Sequence, residues 1–200
     1  MADYPRSVSD ERVVFKGNIF AIAQQDTEVA PGKVRVFERC YRTPGVRGIV
    51  LSEDKQKVLL TKEMNRYDQK ISDIRLPGGK VFNKLEDFLN AKNNNLDVEK
   101  ISHEAMKNEL IEEAGIEVLK LKLLEKTLCN GGVELDLYYY IVEKYNVLPS
   151  QKLDEIERIV REWFTIDQAV DLCLSMDSTN RINEDRSRGV LLPFLLSLKK

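Results

Sequence analysis

NELIEEAGI, residues 108–116, places Glu109, Glu112 and Glu113 within one turn and a fraction of chain and ends on Gly115-Ile116. No Gly or Pro interrupts the run from Val98 to Ala114, which predicts a helix, with Gly115 as its C-cap glycine. On that helix Glu109 and Glu113 are i,i+4 neighbours and Glu112 lies i,i+3 from Glu109, so the three carboxylates leave nearly the same face. Met106, Leu110, Ile111 and Ala114 lie around the other side, toward a core. Each like-charged pair at this spacing destabilises an exposed helix by about 0.2–0.5 kcal/mol. Lys107 is the nearest helical cation, so the cluster lacks an obvious partner within its own helix.

Two readings follow from the residues: a solvated acidic face, or a set of hard oxygen ligands for a divalent cation such as Mg²⁺, which keeps waters for a phosphate-bearing substrate. The preceding turn favours the cation. Leu76-Pro77-Gly78-Gly79 ends a strand-like run, SDIRL, and glycine lets backbone groups approach an ion or a phosphate closely. Strand, glycine turn and acidic helix together make a metal–phosphate site.

Around this centre the chain reads as strands and helices in a mixed order. From Arg12 to Tyr41 the pieces VVFKG, IFAIAQQ and KVRVFERCY alternate around the turn formers APGK, which predicts an N-terminal antiparallel unit closed by Thr43-Pro44-Gly45. VRGIVLS and KVLLTKE flank the polar EDKQ and read as a hairpin. NKLEDFLNAKNNNLDVEK reads as an inserted short helix with a loop at its tip. VLKLKLLEKTL, VELDLYYYIVEKY and IVREWF predict further strands, and Asp167 to Met176 a helix. This order predicts an α/β fold, a mixed sheet sandwiched between helices. The expected organisation is an N-terminal β unit over residues 1–43 and a main domain over 44–200, with an insertion around 82–100.

Composition narrows the class. Two hundred residues with 42% hydrophobic content suffice for a substantial core, and 31 basic against 33 acidic side chains, intermixed, announce no basic surface for nucleic acid. Cys40, Cys129 and Cys173 show no paired spacing for zinc or a disulfide framework, which fits a reducing cytoplasm. The N-terminal MADYPRSVSDER lacks an apolar signal core, and GVLLPFLLSLKK, with Pro193 inside it, reads as a terminal core helix rather than a membrane span.

LPGGKV followed by NELIEEAGI resembles the Nudix box, whose pattern runs Gly, five residues, Glu, seven residues, then Arg-Glu-aliphatic-any-Glu-Glu-any-Gly-aliphatic. Glu109, Leu110, Glu112, Glu113, Gly115 and Ile116 match its second half residue for residue. TPGVRGIVLSEDKQKVLLTKEMNRY and DEIERIVREWFTIDQAV extend the likeness to the ADP-ribose pyrophosphatase branch. The chain departs from the pattern at three places. Asn108 stands for the arginine, Leu85 for the glutamate expected six residues after Gly79, and about fifteen extra residues precede the helix.

The resemblance implies a Nudix fold and Mg²⁺-dependent hydrolysis, with Mn²⁺ as an alternative, of the pyrophosphate in a nucleoside diphosphate linked to a sugar. ADP-ribose stands ahead of other nucleotide sugars. It assigns Glu109, Glu112, Glu113 and the Gly78 carbonyl to the metal, Glu109 and Glu113 to catalysis, and Glu157, with Glu155 as substitute, to the general base. Substrate would be held by Arg66 first, then Arg39 and Arg42, with Gly79 in the turn and Phe20, beside Phe15, as a stacking or core residue. His103 reads as a surface or capping side chain. The N-terminal strands imply a homodimer by the same likeness. Asn108, Leu85 and the insertion keep a second function in view, a nucleotide-binding Nudix domain with little or no catalysis that acts as a sensor. A solvated acidic helix in an unrelated α/β protein is the third.

Overall fold

The computed structural model describes residues 4–64, 71–129 and 131–199. It forms two compact units, one of Met1–Pro44, Phe82–Val98 and Leu128–Asp136, the other of Gly45–Val81, Glu99–Thr127 and Leu137–Lys200.

The first unit is built on the alternating N-terminal segments. β1 (Arg6–Ser7) and β2 (Arg12–Lys16) both pair with β3 (Phe20–Ala30), which forms a long antiparallel hairpin with β4 (Lys33–Arg42). β9 (Val133–Glu134) adds in parallel at the far edge of β4. The hairpin turns at Gly32, whose φ of +69° suits a residue without a Cβ. The Glu28 carboxylate fixes this turn, accepting from the Gly32 N–H and from Arg6 Nε, each at 2.7 Å. Residues 82–98 belong to this unit and supply α1 (Leu85–Asn93). Leu85 is fully buried, and its N–H donates to the Asn18 carbonyl at 2.6 Å. The residue that departs from the box at this position is therefore the apolar anchor of α1. Glu86 beside it is exposed and pairs with Lys16 at 3.8 Å.

The second unit carries two three-stranded sheets. β10 (Leu137–Val147) is the centre of one, parallel to β5 (Gly45–Val50) and antiparallel to β8 (Ile116–Thr127). β6 (Lys57–Met64) is the centre of the other, between β7 (Ile71–Arg75) and β11 (Ile159–Thr165). The expected hairpin of VRGIVLS with KVLLTKE is not formed: β5 and β6 lie in different sheets and touch through one bridge, Leu51 to Val58. Every residue of β5 except Arg47 is buried, so both faces of the strand are covered.

α2 (Val98–Glu109) continues into a π-helical turn, Leu110–Ala114. It lies close on β5 because Gly48 leaves room: a Cβ there would sit 3.1 Å from Met106 Cε and 3.2 Å from Leu110 Cδ2. Met106 and Leu110 are fully buried, each a side chain whose burial contributes about 1.5–3 kcal/mol. α3 (Ile166–Leu174) starts in a capping box, with Gln168 N donating to Thr165 Oγ1 at 3.2 Å and Thr165 N to Gln168 Oε1 at 2.9 Å. α4 (Asp185–Ser197) is the expected terminal core helix, burying Val190, Leu191 and Leu195. The fold is α/β, mixed sheets with helices, and among the described residues no helix is long and apolar enough to cross a membrane.

Candidate active site

The three glutamates straddle the change from α to π geometry. Glu109 is the last α-helical residue, and Glu112 and Glu113 lie in the wider turn that follows, a local irregularity that needs outside support for its carbonyls. Gly115 supplies the stop with φ +59°, its N–H returning to the Ile111 carbonyl at 3.2 Å. The remaining carbonyls are taken by groups from elsewhere. Lys152 N reaches Glu112 O at 3.0 Å, Gln151 Nε2 reaches Glu113 O, and Arg161 Nη1 reaches Ala114 O at 2.6 Å.

The glycine turn fits against these side chains at van der Waals limits. Gly48 N donates to Pro77 O at 2.9 Å and Val46 N to Gly79 O at 3.0 Å, which pins the turn to β5. Gly78 has φ +146°, and a Cβ on it would lie 2.1 Å from Val46 O. Its N–H donates to Glu113 Oε2 at 2.7 Å. A Cβ on Gly79 would lie 2.2 Å from Glu109 Oε1, and the Lys80 N–H bonds to the same carboxylate.

Burial and crowding set the charge state. Glu113 is 7% exposed; burial first, then the charge of Glu109, push its carboxyl up to about 8. Burial, then Glu112 and Glu157, push Glu109 up to about 7. Glu112 is exposed but still raised, by burial, Asp154 and Glu157 in that order. Glu109 and Glu113 thus keep their protons to a higher pH than ordinary carboxyls do.

A largely shielded cation on β5 acts on these glutamates. Arg47 of β5 donates from Nε and Nη2 to Glu184 at 2.8 and 2.9 Å and from Nη1 to Val46 O at 2.7 Å. Burial pulls the Arg47 guanidinium down, and Glu184 more than offsets that; the same pairing takes Glu184 below the usual carboxylate range against its burial. Arg47 also draws Glu109 and Glu113 downward, though less than burial raises them. Beside it, Arg75 holds Glu63 at 2.8 Å and pairs with Asp73, which accepts from Asn183 Nδ2 at 3.1 Å.

The structure brings Glu109, Glu112, Glu113, Gly78, Gly79 and Glu157 together in the second unit. Glu155 is exposed, with its carbonyl bound by Arg158 at 2.9 Å. Arg39, Arg42 and Phe20 stand in the first unit. There Arg39 pairs with Glu134 at 3.1 Å, Phe20 packs on Phe15 at 5.8 Å between ring centroids, and Arg42 lies opposite Phe20 in the hairpin. Arg66 lies outside the described residues. His103 faces Glu104, Nδ1 to Oε1 at 3.2 Å, and Asn108 is exposed.

Arg47, Glu184, Asp154, Gln151 and Arg161 were not singled out from the sequence. Arg47 left one signal, a charge inside an apolar strand; nothing in sequence spacing links it to Glu184. As the side chains stand, no three His, Cys, Asp or Glu among the described residues converge as a ligand group; Glu113 and Glu109 are turned to the Gly78 and Lys80 N–H groups.

Residues 42–182 match the family model described as NUDIX domain. Comparison with curated proteins gives no match. Among solved structures, one titled as the crystal structure of ADP compounds hydrolase aligns with a TM-score of 0.69 and 18% identity, covering 98% of this chain and 94% of that one. At that identity the likeness is one of fold.

Proposed function

The chain belongs to the NUDIX family, and from that premise we propose that it is a divalent-metal-dependent pyrophosphatase for a nucleoside diphosphate linked to a sugar, ADP-ribose ahead of other nucleotide sugars. The observation that carries this reading is the pairing of Glu109 and Glu113. Burial, then Glu112 and Glu157, raise Glu109 to about 7, and burial, then Glu109, raises Glu113 to about 8, against a glycine turn that leaves no room for a side chain at Gly79. The carboxylates of Glu109, Glu112, Glu113 and Glu157 are hard oxygen donors of the kind that suits Mg²⁺, with Mn²⁺ as alternative.

Glu109 and Glu113, with Glu112 at the exposed edge, would hold the ion. Bound there, it would supply charge neutralisation for the pyrophosphate and a lowered pKa for a water. Glu157, whose charge reaches both Glu109 and Glu112, would take the proton of the attacking water. Splitting the pyrophosphate then yields a nucleoside monophosphate and a sugar phosphate with no covalent intermediate. Cleavage of an ADP-ribose and nucleotide-sugar panel with Mg²⁺, read as phosphate released by added phosphatase, tests the activity. No turnover of any member sinks it, and tight ADP-ribose binding without product would replace it with a binding module.

The first unit supports a homodimer. Val13, Val14, Val34, Val36 and Phe37 are each half exposed or more on its strands in the single chain, surface that a second copy would cover. Sedimentation equilibrium that returns a monomer of 23.1 kDa at micromolar concentration would reject it. The free thiols Cys40, Cys129 and Cys173 fit a reducing compartment such as the cytoplasm. Fractionation that places the chain in an oxidising compartment would count against it.

A further inference from the structure

Residues 148–158 connect β10 to β11, and the loop is anchored to the glutamate turn rather than to its own strands alone. Leu148 N donates to Gly115 O at 2.8 Å and Lys152 N to Glu112 O at 3.0 Å. Gln151 Nε2 donates to the Glu113 carbonyl and, at 3.3 Å, to the carbonyl of Ile159, the first residue of β11. One carboxamide thus joins the outgoing limb of the loop, the returning limb and the backbone of a glutamate at the candidate metal site. Arg161 reinforces the same corner, donating to Ala114 O at 2.6 Å, Gly115 O at 3.1 Å and Leu148 O at 3.2 Å.

The tip of the loop is closed on itself. Glu157 N donates to Asp154 O at 3.0 Å, and Asp154 N to Glu157 Oε2 at 3.2 Å. Arg158 Nη1 donates to Glu155 O at 2.9 Å and Glu157 O at 2.8 Å, while Met64 N donates to Arg158 O at 2.9 Å. Glu157 therefore sits on a frame tied at one end to β6 and at the other to the peptide groups of Glu112 and Glu113.

We propose that Gln151 is a positioning residue for the hydrolysis: by holding the Glu113 and Ile159 carbonyls together, its carboxamide sets where Glu157 stands relative to the Glu109 and Glu113 carboxylates. The proposal rests on the reading of Glu157 as the general base. The residue type follows from the task, since a carboxamide NH₂ carries two donors and so serves two carbonyls from one side chain. Replacing it with an apolar residue leaves both carbonyls without that partner and frees the loop to shift, and a shift near 1 Å at a reacting group lowers rate far more than binding.

The test measures kcat and KM on ADP-ribose with Mg²⁺, and melting temperature with and without Mg²⁺, for Gln151→Ala, Glu157→Gln and their double variant. Gln151→Met, which keeps the volume, stands in if the alanine protein does not fold. We expect kcat to fall about tenfold to a hundredfold at Gln151, with KM within about twofold and the Mg²⁺-induced rise in melting temperature kept. The double variant should be no slower than Glu157→Gln alone, because a misplaced base and an absent base are equivalent. Wild-type kcat in the Gln151 variants, loss of the Mg²⁺ response, or losses that multiply in the double variant would overturn the proposal. Wild-type kcat in Glu157→Gln, read with Gln151 intact, would instead remove the base reading, and this proposal with it.

Discussion

The N–H of Gly78 donates to Oε2 of Glu113 at 2.7 Å, across 35 residues of chain. With the Lys80 N–H on Glu109, that bond joins the two halves of the box, and it is made to a carboxyl that burial raises to about 8. An N–H donor stabilises the carboxylate, yet here one donor does not offset burial beside Glu109.

Glu113→Gln removes that anion and keeps an acceptor for the Gly78 N–H. The metal-free protein should melt at or above the wild-type temperature, because the amide resembles the protonated acid. Activity with Mg²⁺ should fall by at least about a hundredfold if the carboxylate is a ligand. Wild-type kcat in this variant would remove Glu113 from the metal site.

Gly78 and Gly79 fail differently when given a methyl group. Alanine at Gly78 would have to adopt φ +146° with its Cβ 2.1 Å from the Val46 carbonyl, a backbone collision, so Gly78→Ala should fold poorly or melt much lower. At Gly79 the Cβ meets the Glu109 carboxylate, 2.2 Å away, which a side chain can relieve by turning. Gly79→Ala should therefore lose activity out of proportion to its melting temperature. Equal stability losses in the two proteins would contradict this.

Glu109 and Glu113 were legible because helical spacing puts i,i+4 residues on one face whatever the tertiary fold, and Gly115 marked the helix end. The π turn was not legible: LIEEA is an ordinary helical string, and its irregularity depends on Lys152, Gln151 and Arg161, distant in sequence. The β5–β6 hairpin failed for a related reason. Two apolar runs around a polar loop predict pairing, but β5 finds β10 as a parallel partner 92 residues on, counted from Gly45 to Leu137, and local pattern carries no trace of that choice. Arg47 and Glu184 illustrate the same limit, since a charge pair 137 residues apart has no period.

The raised carboxyls fix a pH dependence. Glu109 and Glu113 titrate in the folded chain at about 7 and about 8, above the ordinary 4.5, so the native state holds more protons than the unfolded one in that window. Their contribution to stability is present below 4.5 and lost as pH rises through about 7 to 8. In EDTA the melting temperature should decline across this range, and Glu113→Gln should flatten the decline. Mg²⁺ must displace the protons, so its stabilisation should grow with pH. Differential scanning fluorimetry with EDTA and with Mg²⁺ reads both; identical slopes for wild type and Glu113→Gln would refute the assignment.

Arg47 and Glu184 test whether the buried cation matters to the frame behind the site. Their side chains are 11% and 26% exposed, and Ser187 Oγ also donates to Glu184, so the pair is largely shielded and hydrogen-bonded at both ends. Arg47→Leu would leave the Glu184 carboxylate without its cation, and removing one partner of such a pair destabilises by about 3 kcal/mol, the low end of the range because Glu184 keeps some water. Arg47→Met combined with Glu184→Gln should recover much of that loss, since neither charge is then stranded. Removal of Arg47 also withdraws the only buried guanidinium acting on both Glu109 and Glu113 among the described residues, so the single variant should show a steeper fall of melting temperature with rising pH than wild type. Urea unfolding at pH 6 and pH 8 measures the stability losses, and thermal melts at the same two pH values measure the slope. A single variant as stable as wild type at pH 6 and pH 8 alike would show that the pair is incidental to the frame.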